Sequence, residues 1–546
     1  MPKLQPLLVP SPVLLLPVFG WILAACQSAD ELVADADREV YEIIRERRAE
    51  LGVNGEFLVA PPIDTLRLRI LSGQESEVPP LTLIQALEIA AEGNRDYQSQ
   101  REALYLEALD LTLERWDFSV QESGFLGASV LGVAGQAQQG TGSGVLGFDR
   151  LFGSGLKIIS DIGFNLVRDL SRADGWDLTT NLTLGITQPI LRGFGSHIVE
   201  EPLTQAERNM LYQARAYETF RRNLAVDVAD RFFSILSLYD RLSNEEANYA
   251  RRIALRERNE AFAQAGQQSE IEVNQARQDE LSARDRLVEA RRSLETSLDN
   301  FKFFLGLPIE TPISLDPSSR EQIGSLEQAG IEVGEEQGIR LALERRLDYQ
   351  TTLDRVTDEE RQSIVAEDAL RAGLDVSLAG TATSEVNKPA SYRGDDFVWG
   401  LGISFDAPFD RLPERNAYRA SLISLQASQR TAEEATDRLH SEVRRAMRDL
   451  SAAREIYAIQ ENAAALASRR VESTELSLEA GRADTRDVLE SQDALIAAQN
   501  EASSAFTVSI LASIALFRTM ECILVDENGL QIDLAPFQEV EEQESP

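Results

Sequence analysis

Two short stretches of sequence decide the fold: AGQQSEIEVNQA at residues 265–276 and AGRADTRDVLESQD at residues 480–493. In each, a glycine (Gly266 or Gly481) interrupts a long run of helix-forming residues, and an acidic turn then starts a second run. A glycine break between two helical runs predicts a hairpin of two antiparallel helices. The chain therefore contains two predicted helical hairpins.

The two hairpins are related by a constant offset of 215 residues. This offset matches three pairs of residues: Gly266 with Gly481, Glu272 with Asp487, and Val273 with Val488. In each half, the hairpin comes after a helix and a pair of strand-like segments. The same order of elements occurring twice predicts an internal two-fold repeat.

The predicted helices are longer than a globular core requires. They run from about Glu200 to Phe304 around the first break, and from Arg415 to Glu479 and Asp484 to about Arg518 around the second. The 415–479 helix would extend roughly 100 Å at 1.5 Å per residue. Its apolar residues recur at spacings of four and three, which indicates a coiled-coil seam. The seam comprises Leu439, Val443, Ala446, Leu450, Ala453 and Tyr457.

Alternation of apolar and polar side chains marks the strand-like segments. It occurs at residues 156–167 and 178–187 in the first half, and at 374–383 and 397–407 in the second. A half-buried soluble sheet and a transmembrane barrel both produce this alternation. Large side chains on one face of 397–407, opposite tiny or polar ones, favour a barrel wall. The glycine-rich span 123–150 is also strand-like, and it either lengthens the first strand or forms an external loop.

The N-terminus predicts export. A mostly apolar segment follows Lys3 and ends in the small residues 23–25, immediately before Cys26. This pattern resembles the bacterial lipobox, which implies removal of residues 1–25 and lipidation of Cys26. Gln27 at the next position then implies sorting to the outer membrane. The alternative is an ordinary signal peptide or signal anchor that contains an incidental cysteine.

The composition excludes several classes of function. The formal charge is −36, from 54 basic and 90 acidic residues, so the surface would repel nucleic acid. Two histidines and two cysteines leave little material for a metal site, and we predict neither a metal nor a cofactor. No phosphate-binding loop, nucleophile motif or paired catalytic residues stand out. The sequence therefore gives no reason to expect an enzyme.

These patterns divide the chain into six segments. They are a signal peptide (1–25), an extended N-terminal arm (26–80), a first repeat (81–305) with a strand pair at 123–190, a linker or equatorial segment (306–338), a second repeat (339–522) with a strand pair at 374–407, and an acidic C-terminal tail (523–546).

From residue 82 to residue 522, the sequence resembles the TolC family of outer-membrane efflux proteins. The most specific marks are the duplicated order of elements, the two hairpin tips, and the strand-to-helix exits at Pro189 and Pro408. The resemblance implies a mainly α fold with transmembrane β. In that fold, three copies form an α-barrel of long coiled-coil helices, and four strands per chain complete a shared twelve-stranded barrel in the outer-membrane lipid.

The same resemblance implies a function. The homotrimer would be a passive duct that works with a periplasmic adaptor protein and an inner-membrane pump, as part of a tripartite efflux or type I secretion system. The adaptor would contact the hairpin tips at Gly266 and Gly481. The alternative is a periplasmic coiled-coil lipoprotein that acts as a scaffold without transport.

The resemblance places an acidic constriction at the hairpin tips. Matching the tip motifs puts Asp487 and Glu490 of the second hairpin at the acidic positions, and Glu272 of the first. The alternative interpretation is that these acids only complement the helix dipoles, with Asp484 as a cap. The second tip has Asp487 and Glu490 where the first has Glu272 and Gln275, so we expect the second hairpin to be the moving part of a gate.

Overall fold

The computed structural model describes residues 28–53, 57–59, 65–72, 80–132, 138–170, 175–319, 333–526 and 529–533. The predicted signal peptide, Cys26, part of the predicted linker and most of the predicted acidic tail lie outside these ranges. The helices are α1 (Ala29–Glu50), α2 (Leu66–Leu71), α3 (Leu83–Gly93), α4 (Arg95–Asp117), α5 (Ser196–Val199), α6 (Glu201–Gln264), α7 (Glu270–Leu305), α8 (Glu335–Arg345), α9 (Leu347–Asp368), α10 (Leu412–Glu479) and α11 (Thr485–Thr519).

The strands are β1 (Gln121–Gly132), β2 (Gln138–Leu151), β3 (Lys157–Asp169), β4 (Asp177–Pro189), β5 (Gly373–Thr383), β6 (Phe397–Asp406), β7 (Ile523–Asp526) and β8 (Gly529–Ile532). The chain forms two compact units. The first comprises Met1–Val59, Ala103–Ala214 and Ile364–Tyr418, and the second comprises Ala60–Glu102, Arg215–Ser363 and Arg419–Pro546. All six strands of the large sheet lie in the first unit.

The prediction of an extended arm at 26–80 is wrong for its first part, because α1 is a regular helix. Its N-terminus carries a capping box: the Ser28 hydroxyl accepts the Glu31 N–H at 3.2 Å, and the Glu31 carboxylate accepts the Ser28 N–H at 3.0 Å. Three apolar residues at helical spacing are buried: Val40, Ile43 and Ile44. The arm was predicted from the prolines of this segment, Pro61, Pro62, Pro79 and Pro80, which all come after the helix.

The first half contributes four strands to the sheet rather than the predicted pair at 123–190. The sheet has the order β1-β2-β3-β4-β5-β6, and each strand is antiparallel to its neighbours. The glycine-rich span predicted as a longer strand or an external loop forms the hairpin β1–β2 instead. The chain therefore contributes six strands to this sheet, and not the four strands that the family resemblance implied. Glycines at alternate positions of β2 replace the large side chains that normally reveal a strand.

The sheet has one apolar and one polar face. The large side chains of the apolar face are Leu126, Val130, Leu146, Phe148, Ile158, Ile162, Phe164, Leu166, Leu178, Leu182, Leu184, Ile186, Leu374, Val376, Leu378, Phe397, Trp399, Leu401, Ile403 and Phe405. This face is open, since Trp399 is 66% exposed and Ile403 is 71% exposed. The opposite face is mostly glycine, serine, threonine, asparagine and aspartate.

The two predicted hairpins are confirmed. In the first, α6 and α7 are joined at Gly266, whose φ is 74°; in the second, α10 and α11 are joined at Gly481, whose φ is 69°. Glycine suits both positions because a left-handed backbone strains other residues. The longest helix, α10, has 68 residues, close to the predicted length.

The helical core of the second unit contains residues of α3, α6, α7, α10 and α11, including Phe232, Phe301 and Ile514. Among the described helices, α11 is long and apolar enough to cross a membrane by length and composition alone. Its apolar side chains pack in this core instead, as those of a soluble core helix do. Cys522 follows α11 as a free, buried thiol, and burial raises its pKa to about 11.

The end of α7 is held by a close backbone contact with α3. The carbonyl of Phe304 accepts the Asn94 side-chain amide at 3.0 Å, and the carbonyl of Gly306 accepts the Arg67 guanidinium at 3.0 Å. A Cβ on Gly93 would lie 2.2 Å from the Leu305 carbonyl oxygen. These contacts satisfy helix-end carbonyls that would otherwise lack partners.

We expect Gly93→Ala to destabilise the protein by about 1–3 kcal/mol, because the new methyl group meets backbone that cannot move aside. Helix propensity alone would favour this change by about 1 kcal/mol. The control is Gly400→Ala in β6, where an added Cβ has no neighbour within 4 Å. Thermal unfolding of the purified protein in detergent measures the effect. Equal melting temperatures for the two variants would contradict it.

Candidate functional site

The second hairpin tip begins α11 with a capping box. The Asp484 carboxylate accepts the Asp487 N–H at 3.0 Å, and the Asp487 carboxylate accepts the Asp484 N–H at 3.1 Å. Each acid therefore satisfies a backbone donor at the positive end of the helix. Asp487 therefore caps the start of α11, independently of any further role of its negative charge.

The first tip repeats this geometry with a serine at the cap. The Ser269 hydroxyl accepts the Glu272 N–H at 3.4 Å, and the Glu272 carboxylate accepts the Ser269 N–H at 3.0 Å. Glu272 and Asp487, which were matched by the sequence offset, therefore occupy the same capping position. The contacts of these two acids are those of residues that cap the start of a helix, which is the alternative interpretation given to them from the sequence.

Glu490 differs from the two capping acids. It lies one turn into α11, its side chain is 65% exposed, and it forms an ion pair with Arg470 of α10 at 2.9 Å. Such an exposed pair contributes little to stability. Near it, Arg482 and Arg486 are also exposed, and within the described ranges neither has an ion pair shorter than 4 Å. The second tip is thus a surface of mixed charges.

Thr485 joins the two hairpins at their tips. It is 1% exposed, and its hydroxyl accepts hydrogen bonds from the amides of Asn259 at 3.2 Å and Gln268 at 3.1 Å. Directly after it, Val488 and Leu489 pack against Leu255 of α6. A small polar and apolar cluster thus holds the start of α11 against the first hairpin.

A buried arginine forms a second connection between the hairpins. Arg252 of α6 is 1% exposed, and its guanidinium donates to the Asp493 carboxylate at 2.6 Å and to the Leu489 carbonyl at 3.3 Å. Burial lowers the pKa of Arg252, and the charges of Asp493 and Asp279 oppose that effect. Removing one partner of such a pair would leave a buried charge without compensation.

Sequence reasoning did not identify Arg252 or Asp493. Arginine and aspartate are frequent throughout these helices, and only the packing of α6 against α11 shows that this arginine is buried. One signal was available: Arg252 lies one helical turn before the apolar Leu255, on the side of α6 that the hairpin buries.

The base of the first hairpin tip carries a more exposed charge network. Glu260 accepts hydrogen bonds from Arg277 and Arg256, both at 2.9 Å, so α6 and α7 are linked near their turn. The hydrogen bond from Arg277, with the charge of Arg256, lowers the pKa of the Glu260 carboxyl. Glu260 is therefore ionised and paired at neutral pH.

The predicted strand-to-helix exits lie at the helix-proximal end of the sheet. Pro189 ends β4, and Pro408 comes two residues after the end of β6. Arg192 forms an ion pair with Asp406 at 3.0 Å, and the Gly193 N–H donates to Asp368 at 2.7 Å. These contacts connect the two exits within the first unit.

A groove of about 260 Å³ lies between α9 and α10. Its charged groups bind each other: Arg346 pairs with Asp348 at 2.6 Å and with Glu442 at 2.5 Å. The hydrogen bond that Arg346 donates to the Asp348 carboxylate raises the pKa of Arg346. No cluster of three or more His, Cys, Asp or Glu residues suited to a metal ion occurs in the described part of the chain.

Comparisons with known proteins agree with this architecture. The family model for outer membrane efflux protein matches residues 168–307. No curated protein sequence matches the chain.

Several solved structures share the fold. The CusC structure has a TM-score of 0.59 at 14% identity, covering 80% of this chain and 92% of its own. The CmeC outer membrane channel of Campylobacter jejuni has a TM-score of 0.57 at 14% identity, covering 85% of this chain and 89% of its own. The open-state MtrE outer membrane channel of Neisseria gonorrhoeae has a TM-score of 0.57 at 13% identity, covering 86% of this chain and 95% of its own.

The family resemblance inferred from the sequence is thereby confirmed. Residues 168–307 carry the family's domain, and the fold over most of the chain is that of solved outer-membrane channels. The chain is thus similar to the outer membrane efflux proteins, in sequence over residues 168–307 and in fold over most of its length.

Proposed function

We propose that this protein is the outer-membrane channel of a tripartite efflux or type I secretion system. Three copies would form a passive duct across the periplasm and the outer membrane. One observation carries the proposal: a six-stranded sheet with an exposed apolar face and two unpaired edges occurs in the same chain as two long helical hairpins.

The apolar face supports a location in lipid. In water, exposed side chains such as Trp399, Leu401 and Phe405 would form a large apolar patch, which monomeric soluble proteins rarely tolerate. In lipid, these side chains are solvated, but every backbone donor and acceptor must then be paired. An open sheet cannot meet that condition alone, so several copies must close it together.

The anchor and the partners remain proposals from the sequence. Lipidation of Cys26 would attach the chain to the outer membrane, with a large periplasmic part beyond it. A periplasmic adaptor would contact the hairpin tips near Gly266 and Gly481, and an inner-membrane pump would supply the energy. The two halves would be copies of one module, which fits the matched capping boxes at Ser269 and Asp484.

The tip acids are proposed to form the selective entrance. Capping engages one carboxylate oxygen of Asp487 and of Glu272, but it leaves their negative charge in place. Glu490 is exposed beside them. Three copies of these residues around one opening would concentrate cations there.

The second hairpin is proposed to move when the duct opens. In this structure, Arg252, Asn259 and Gln268 hold the start of α11 against the first hairpin. Displacement of α11 would break these contacts together. Of these contacts, the pair of Arg252 and Asp493 is the ionic one, so displacement of α11 would separate opposite charges as well as break hydrogen bonds.

The first test is assembly and conductance. The purified, lipidated protein should run as heat-modifiable trimers on gels and should form ion-conducting channels in planar bilayers. Cys26→Ser should lose the lipid and keep the trimer, because the sheet rather than the lipid would hold the copies in the membrane. A water-soluble monomer after Cys26→Ser would instead favour the scaffold alternative.

The second test addresses the entrance. Asp487→Asn combined with Glu490→Gln removes charge while retaining hydrogen-bonding groups of similar shape at both positions. We expect weaker cation selectivity and weaker block by multivalent cations in planar bilayers, because three copies would lose six negative charges. The matched control is Glu455→Gln, an exposed acid on α10 outside the tip. The proposal that these acids line the entrance fails if cation selectivity and multivalent-cation block stay at the control's values.

The third test addresses the moving hairpin. Asp493→Asn leaves Arg252 buried without a full ionic partner, which should destabilise the closed tip by about 1.4 kcal/mol or more, a tenfold change in the open fraction. Single-channel recordings should show more open time. Glu501→Gln, an exposed acid on the same helix, is the control. Identical open times in the two variants would rule out Arg252–Asp493 as a closing contact.

A further inference from the structure

The hairpin β1–β2 is a full part of the sheet. β2 pairs with β3 from Gln139↔Asp169 to Leu151↔Lys157, which is two residue pairs longer than the pairing between β3 and β4. β1 and β2 have 12 and 14 residues, respectively. A transmembrane strand needs about 9–11 residues. Both strands are therefore long enough to cross a membrane beside the other four.

The apolar face of the sheet continues onto the hairpin, whose opposite face carries Phe125, Leu131 and Val145 beside its polar residues. On the apolar face of all six strands, the charged residues are Glu122, Arg150 and Arg168, and each is the second residue from a strand end. On the polar face, they are Asp149, Lys157, Asp161, Asp169, Asp177, Asp375 and Asp406. The apolar face thus continues from β6 to β1, and on this face no charged residue lies in the middle of any strand.

Side chains of the hairpin interlock with β3 on the apolar face. A Cβ on Gly144 would lie 2.3 Å from the Phe164 ring and 2.7 Å from Leu126. The aromatic ring of β3 and the leucine of β1 therefore close over a glycine of β2, which is a known way to pin strand register. An external hairpin that folds away from β3 would lose this packing.

The two outer strands have unpaired edges. β1 and β6 each pair with one neighbour, and among the strands described neither pairs with a further one. Because the sheet has an even number of antiparallel strands, β1 and β6 run in opposite directions. The free edge of β6 can thus continue the antiparallel pattern with the free edge of β1 from another copy.

We infer that β1 of one copy pairs with β6 of the next, so that three copies close a barrel of eighteen strands, three times six. This inference rests on the proposed trimeric duct. It replaces the twelve strands that the family resemblance implied. At equal strand tilt, barrel diameter grows roughly linearly with strand number, so the membrane opening would be about one and a half times as wide.

Cysteine cross-linking tests which edges meet. Val398 and Ser404, on the polar face of β6, are each replaced by cysteine and combined in turn with Ser123→Cys, Phe125→Cys or Ser129→Cys on the same face of β1. The matched set combines the same β6 positions with Ile159→Cys, Asp161→Cys or Asn165→Cys on β3. The trimer is oxidised and run on non-reducing gels. Cys522 is buried and adds little background.

We expect disulfide-linked dimers and trimers from at least one β1 pair and from none of the β3 pairs. Cross-links from β3 pairs would overturn the inference, since β3 would then close a twelve-stranded barrel with the hairpin outside it. Trimers that conduct but form no cross-link in either set would also overturn it. Unmodified protein that forms neither trimers nor channels would overturn the proposed duct, and the edge pairing with it.

Discussion

The constraint on which the rest of the structure depends is that no backbone hydrogen-bonding group of a strand can remain unpaired in lipid. The large sheet satisfies this condition between its strands and fails it at both edges. In the proposed duct the apolar face would lie in lipid, where the open edges could not remain unpaired. Assembly of several copies would then follow from the same feature that favours the membrane location.

The helical half of each module solves a different problem. The long helices bury an apolar stripe and leave charged residues outside, and a glycine with positive φ turns the chain back at each tip. If the second hairpin moves as proposed, the contacts at its tip must hold the closed state and still allow the helix to leave. A few buried polar groups, such as Arg252 and Thr485, suit this role because they bind strongly in one geometry and poorly in any other.

Local patterns in the sequence predicted most of this architecture. Gly266 and Gly481 were identifiable because a glycine followed by an acidic helix start ends one helical period and begins another. β5 and β6 were identifiable because large residues alternate with tiny ones. The hairpin β1–β2 was not, since glycine at positions such as Gly142 and Gly144 leaves no apolar period to detect. α1 was missed because the prolines that follow it dominated the interpretation of residues 26–80.

The candidate site was predicted less completely, for a physical reason. A sequence shows which residues start a helix, and so it identified Glu272 and Asp487, but it does not show which face of a charged helix becomes buried. The ionic contact of Arg252 with Asp493 depends on two helices separated by more than two hundred residues. Only tertiary packing makes that arginine different from its many neighbours.

The position of α1 has a consequence for the anchor. The helix is capped at Ser28, so a lipid on Cys26, as proposed, would be separated from regular structure by Gln27 alone. Such a link spans at most about 10 Å. The acyl chains would then act as a short tether, and would hold the N-terminus of α1 at the inner surface of the outer membrane. The lipid would then help to set the depth of the protein in the membrane, while the sheet would keep it there.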